Sequence, residues 1–149
     1  MLKSYVINKL CIILYYKTNC DNMKKGSFSG TVISQGTAIE TVLSLYIFEE
    51  NNMHIIYCPA LDLSAAGINQ NEAEMEFAKI LELYVDYCLK KKTLFKDLEA
   101  LGWKIKKKTE AQAPSIKKML HINPTLQDIV YNKQSYRTFN HPLRIAANA

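Results

Sequence analysis

Tyr57-Cys58-Pro59-Ala60-Leu61-Asp62-Leu63-Ser64-Ala65-Ala66-Gly67, followed by Asn69, Glu72 and Ala73, sets the architecture of this 149-residue chain. Met53 to Cys58 is a strand rich in Ile and Tyr. Pro59 has no N–H to give to a ladder, so it should interrupt or bulge that strand before Leu61 to Ala66 continues the sheet, with Gly67 as the exit. Asn69 is placed as a helix N-cap, and Glu72, three residues on, completes a capping-box-like exchange. Beyond it Ala73, Phe77, Ile80, Leu81, Tyr84, Val85 and Cys88 recur every three or four residues, the signature of a helix laid on a core. The other side carries Glu74, Glu76, Lys79, Glu82, Asp86 and Lys90, acidic early and basic late, which suits the helix dipole.

Upstream, Ser27 to Ser34 is short and β-branched, Gln35-Gly36 is a turn signal, and Ile39 to Phe48 is a longer strand. Ile39, Leu43, Leu45 and Ile47 fall on one face at period two, while Glu40 and Ser44 point the other way. Glu49-Glu50-Asn51-Asn52 is a polar connection of hairpin length, so this strand and Met53–Cys58 should be antiparallel. The resulting expectation is an α+β fold, an antiparallel sheet of three to five strands packed against one main helix, with Phe77, Ile80, Leu81 and Tyr84 facing Leu43, Leu45 and Ile47.

Downstream, Lys90-Lys91-Lys92 ends the helix, Thr93 caps a short second one through Leu94, Phe95, Leu98 and Leu101, and Gly102 stops it. Trp103, Ile105 and Lys107 alternate as a further strand, and a break is expected around Ala111 to Pro114. Ser115 to Leu120 reads as helix, Thr125 to Tyr131 as a second helix opened by Pro124, and Tyr136 to Ile145 as a strand-like ending whose apolar groups suit a short edge strand or a partner surface. Three stretches follow: a leader over residues 1–22, a domain over 23–108, and an extension over 109–149 packed on that domain. Met23-Lys24-Lys25 reads like a second start, which would make the leader an over-extended reading frame. Its apolar run, Leu10 to Tyr16, is too short to span a bilayer and meets Lys17 rather than a small-residue cleavage site, so no membrane role is expected.

Composition places the chain among globular proteins: 48% of residues are hydrophobic and 22% charged, enough apolar material for one core. The net charge of +5 favours acidic partners without naming one. Cys11, Cys20, Cys58 and Cys88 have neither CxxC spacing nor a histidine pair beside them, so they read as free thiols of a cytoplasmic protein rather than a zinc site or a disulfide framework.

The block from Tyr57 to Gly67, with Asn69, Glu72 and Ala73 and the helix to Tyr84, resembles the HicB-like antitoxin superfamily: a strand reading Y-C-P-x-L-D-L, a strand ending in Gly, and a helix opened by a T/N-x-x-E-A-like cap. The resemblance covers Ile39 to Tyr84. It implies a partial RNase H-like fold without the catalytic acids, in which Tyr57, Pro59, Leu61, Asp62, Gly67, Glu72 and Ala73 are structural motif residues. It also implies a non-enzymatic, bacterial antitoxin-type protein whose partner is a small HicA-like toxin that cleaves mRNA. The alternative is a stand-alone interaction protein of the same fold, self-associating as a homo-oligomer.

The residues themselves agree with a non-catalytic reading. The sheet offers Glu40 and Asp62, with Glu49 and Glu50 in a loop, too few carboxylates to converge on a metal ion. Asp62 is expected to hydrogen-bond the backbone beside Pro59. His54, His121 and His141 are far apart in the sequence and join no Ser/His/Asp or His/Cys constellation. No cofactor fingerprint occurs. Lys90–Lys92 and the lysines from 104 to 108 would supply only sequence-independent affinity for phosphates, and no recognition-helix pair follows Trp103, so specific DNA binding is doubtful.

Overall fold

A computed structural model describes residues 31–32, 37–106, 110–133 and 135–147. The chain is α+β. Its strands and helices run β1 (Thr31–Val32), β2 (Thr37–Glu50), β3 (Met53–Cys58), β4 (Leu63–Gly67), α1 (Gln70–Lys91), α2 (Leu94–Ala100), β5 (Lys104–Lys106), β6 (Glu110–Gln112), α3 (Ile116–Ile122), α4 (Pro124–Asn132) and β7 (Tyr136–Ala147). The main sheet has the order β1-β7-β2-β3-β4, and β5 and β6 form a separate two-stranded ribbon. Within the main sheet β2, β3, β4 and β7 are antiparallel to their neighbours, and β1 joins β7 in parallel. The turn signal Gln35-Gly36, Cys11, Cys20, Lys107 and the leader over 1–22 lie outside the described residues, as does all of Ser27–Ser34 except β1.

The β2–β3 hairpin forms where the polar run predicts it, with Asn51 and Asn52 both at positive φ (51° and 62°). Two adjacent left-handed residues make the type of turn whose twist matches that of the strands, and Asn tolerates it better than most side chains. Register pairs Tyr46 with Tyr57 and Ile47 with Ile56, so the even residues of β2 share a face with the odd ones of β3. Leu43, Leu45, Ile47, Ile56, Cys58, Leu63 and Ala65 fall on one face and are buried. The helix α1 lies across β3 and β4 and buries Ala73, Phe77, Leu81, Val85 and Cys88. Ile80 and Tyr84, also placed on its inner side by periodicity, are half-buried against the same core.

The ends of α1 are built from side chains. The Asn69 carboxamide oxygen accepts from Glu72 N at 2.9 Å, and the Glu72 carboxylate accepts from Ile68 N at 2.6 Å. The box is therefore closed on the residue before the cap. At the far end Lys92 is left-handed (φ 56°), and Thr93 N donates to Cys88 O at 2.9 Å. Thr93 does not cap α2 through its hydroxyl as expected; that hydroxyl donates to the Asp97 carboxylate at 2.8 Å. Gly102 does stop α2: at φ 87° it lets Gly102 N reach Glu99 O and Trp103 N reach Leu98 O, a Schellman pair.

Two expectations are corrected. Pro59 interrupts the strand, one of its two expected outcomes, but the sheet resumes at Leu63 rather than Leu61. Cys58 pairs directly with Leu63, so Pro59-Ala60-Leu61-Asp62 is a hairpin turn, closed by the left-handed Asp62 (φ 52°). The break expected around Ala111 contains β6, because the lysine-rich β5 finds its ladder partner there and Ala111 is buried. The strand-like ending expected over Tyr136 to Ile145 is β7, which has 12 residues, pairs with β2 from Thr37↔Ala147 to Phe48↔Tyr136, and has β1 on its other side at Arg144 and Ile145. The segment after residue 109 thus supplies a strand of the same sheet.

Two outcomes follow. Phe77 is buried in the core, so Phe77→Ala should cost about 3–5 kcal/mol in chemical denaturation. His141 is 2% exposed, and burial pushes its imidazole below the ordinary value, because the charged form loses its water. The folded state then binds its proton less readily than the unfolded chain. This stabilising difference is complete above the unfolded value of about 6.5 and is lost as pH falls from there toward the folded value. Denaturation midpoints measured between neutral and mildly acidic pH should fall more steeply for the natural chain than for His141→Gln.

Candidate functional site

The motif residues lie at the β3–β4 hairpin and the entry to α1, where the chain must reverse twice between Tyr57 and Ala73. Tyr57 is on the face of β3 opposite Cys58 and is buried. Its hydroxyl donates to Asp62 Oδ1 at 2.8 Å and accepts from Asn123 Nδ2 at 2.7 Å. Instead of bonding the backbone beside Pro59 as expected, Asp62 takes the tyrosine hydroxyl, because its left-handed backbone turns the side chain back toward β3. The Trp103 indole N–H donates to Ala60 O at 2.6 Å, which ties the turn to the segment after α2. Pro59 and Leu61 are buried within the turn.

The second reversal is steric. A Cβ built on Gly67 would lie 2.3 Å from Ala73 N and 2.8 Å from the Glu72 backbone carbonyl carbon. Only a residue without a side chain lets β4 end against the first turn of α1. Gly67, Glu72 and Ala73 are therefore in mutual contact, while Tyr57 and Asp62 form their own pair at the other end of β4.

Electrostatically the turn is quiet. Burial is the largest influence on the Tyr57 hydroxyl and, with the nearby Asp62 carboxylate, holds it protonated far above the usual phenol range, although the Asn123 hydrogen bond acts the other way. Burial also pushes the Cys58 thiol up to about 12, which keeps it in the neutral, weakly nucleophilic form at neutral pH. Cys88 is raised to about 11, first by burial and then by its hydrogen bond to the Asp97 carboxylate at 3.3 Å. Among the described residues no three His, Cys, Asp or Glu side chains are grouped so as to hold a metal ion. His54 lies 3.7 Å from Glu49, His141 is buried within β7, and His121 is exposed on α3. Glu50 is paired with Lys133 at 2.6 Å.

Two partners of the motif escape sequence reasoning. Asn123 has a readable role, since Asn-Pro opening an apolar-periodic stretch is an N-cap followed by proline at the first helical position, and its Oδ1 does accept from Leu126 N at 2.9 Å. Nothing in the sequence shows that its other carboxamide atom reaches Tyr57, 66 positions away. Trp103 is visible as an apolar residue, but its carbonyl partner is not. Comparison with family models, with curated proteins and with solved structures finds no match to this chain. Among the described residues no helix is long and apolar enough to cross a membrane.

If the Tyr57 hydroxyl is the joint between hairpin and C-terminal helices, Tyr57→Phe should destabilise by about 1–2 kcal/mol. Asn123→Ala should cost somewhat more, about 1–3 kcal/mol, because it removes the cap of α4 as well. Urea titration checks both. Gly67→Ala should be at least as damaging as Tyr57→Phe, and an unchanged midpoint for it would place α1 elsewhere.

Proposed function

We propose that this chain is a HicB-like antitoxin-type binding protein, which neutralises a small mRNA-cleaving toxin in the cytoplasm by forming a complex with it. The observation that carries this reading is the state of the motif side chains. Tyr57, Asp62 and Asn123 satisfy one another, Cys58 is buried and neutral, and Gly67, Glu72 and Ala73 serve backbone geometry. The residues on which the resemblance rests therefore act as scaffold, and recognition falls to the surface they hold in place.

That surface has the character of a protein interface. Ile122 on α3 is 60% exposed and Tyr131 on α4 is 72% exposed, which leaves an apolar group on each helix for a partner to cover. Lys118, which donates to Gly102 O at 3.2 Å, and Lys104 are exposed as well, and their positive charge suits a partner that carries acidic groups. The alternative, a stand-alone interaction protein of the same fold, uses the same surface without a toxin.

Co-expression with the product of the adjacent reading frame tests the proposal. A stable complex that suppresses mRNA cleavage by that product is expected, and Ile122→Glu should weaken it at least about tenfold without lowering the thermal midpoint. Absence of a complex at micromolar concentrations of both chains would leave the stand-alone reading in its place.

A further inference from the structure

The outward side of α1 carries a stripe with palindromic spacing. Glu76, Lys79, Leu83, Tyr87 and Lys90 are separated by three, four, four and three residues, and at 3.6 residues per turn they share one side of the helix. Leu83 is 42% exposed and Tyr87 36% exposed, although the buried side of α1 is Ala73, Phe77, Leu81, Val85 and Cys88. Charge is segregated along the same helix. Glu72, Glu74, Glu76, Glu82 and Asp86 oppose Lys79 alone over most of its length, and Lys90-Lys91-Lys92 closes it.

We infer that α1 is a self-association surface, pairing antiparallel with α1 of a second copy about a two-fold axis through Leu83. A two-fold interface brings the same patch of both copies together, so the patch must complement itself on reversal. This one does. Rotation about Leu83 sets Leu83 against the partner's Leu83, Lys79 against the partner's Tyr87, and Glu76 against the partner's Lys90. The first pair is apolar, the second is a cation facing an aromatic ring, and the third is an ion pair. Glu74 and Glu76 of one helix lie along Lys90 to Lys92 of the other, and the two helix dipoles are antiparallel. A parallel arrangement would oppose the acidic runs to each other.

The ring of Tyr87 already has a cation near it within one copy, Lys91 Nζ at 6.0 Å from its centroid. Glu76 is bonded to Lys79, and Lys90 to Asp86, each at 2.6 Å along the helix, so the charges at both ends of the stripe are held in place before a second copy arrives. From Glu76 to Lys90 the stripe is about 20 Å long, at about 1.5 Å per residue. One helix pair of that length buries less than the roughly 1,000 Å² of a stable complex, so the dimer is weak, reversible and dependent on concentration.

Sedimentation velocity on the full chain tests this. At low salt the average mass should rise with concentration toward twice that of one chain, and should fall again as salt is added. Leu83→Glu opposes two like charges on the axis and should leave a monomer with an unchanged thermal midpoint. Glu76→Lys and Lys90→Glu should each weaken association by about tenfold or more, and the double variant should restore it. The double variant discriminates, because it carries two like-charge clashes along its own helix: a lysine at position 76 beside Lys79, and a glutamate at position 90 beside Asp86. If the single variants acted only within one copy, it would be the worst of the three. A chain that stays monomeric at every concentration, a dimer indifferent to Leu83→Glu, or a double variant without recovery would each overturn the inference.

Discussion

The pairing of β2 with its two neighbours is the constraint on which the rest of the fold depends. From Leu45 to Phe48 four consecutive residues are buried, so both faces of the strand are covered there. Both edges are covered as well, by β3 over Tyr46 to Glu50 and by β7 over Thr37 to Phe48. A buried strand cannot leave its N–H and C=O groups unpaired without losing free energy at each of them, so β2 requires β7 as much as it requires β3. One of these partners follows after a two-residue turn, whereas the other sets Ser44 opposite Asn140, 96 positions away. Closing that separation has an entropic cost that the intervening α1, α2 and β5–β6 ribbon offset by burying their own apolar faces against the same core.

The second closure is polar and local. The Tyr57 hydroxyl joins the β3–β4 turn to the cap of α4, and the Trp103 indole joins the same turn to the end of α2. Three distant stretches thereby meet at one short piece of backbone, Pro59 to Asp62. This explains why residue types that elsewhere signal chemistry, a tyrosine, a cysteine and an aspartate in sequence, are here neutral, buried or engaged with one another. Stability and function separate accordingly. The interior fixes the hairpin and the helix entry, and in the binding role proposed above recognition falls to the outward sides of α1, α3 and α4.

Much of this is legible in the residues, and the parts that are not share a physical origin. The N-cap at Asn69, the stop at Gly102, the period of α1 and the start of α4 at Pro124 depend on near neighbours in the chain, which a sequence displays directly. The hairpin at Pro59 is not legible because a proline in a strand has two structural outcomes, a bulge or a turn, and the choice is made by Asp62 adopting φ 52°. The extent of β7 is legible but its place is not: that it pairs along its whole length with β2, with Pro142 opposite Val42, depends on a partner far away in the chain. The site's missing members, Asn123 and Trp103, are non-local partners. A side chain's local role can be read from its neighbours in sequence, whereas its second hydrogen bond depends on packing.

Native-state hydrogen exchange across the sheet tests the central claim, that the C-terminal strand is part of one cooperative unit with the motif hairpin. The amides that pair β7 with β2 should exchange with the same free energy, and the same denaturant dependence, as those pairing β2 with β3, because both ladders open only when the domain unfolds. Rapid exchange along β7 at low denaturant, with β2–β3 still fully protected, would show an appendage laid against an independent hairpin-and-helix domain, and would contradict the account.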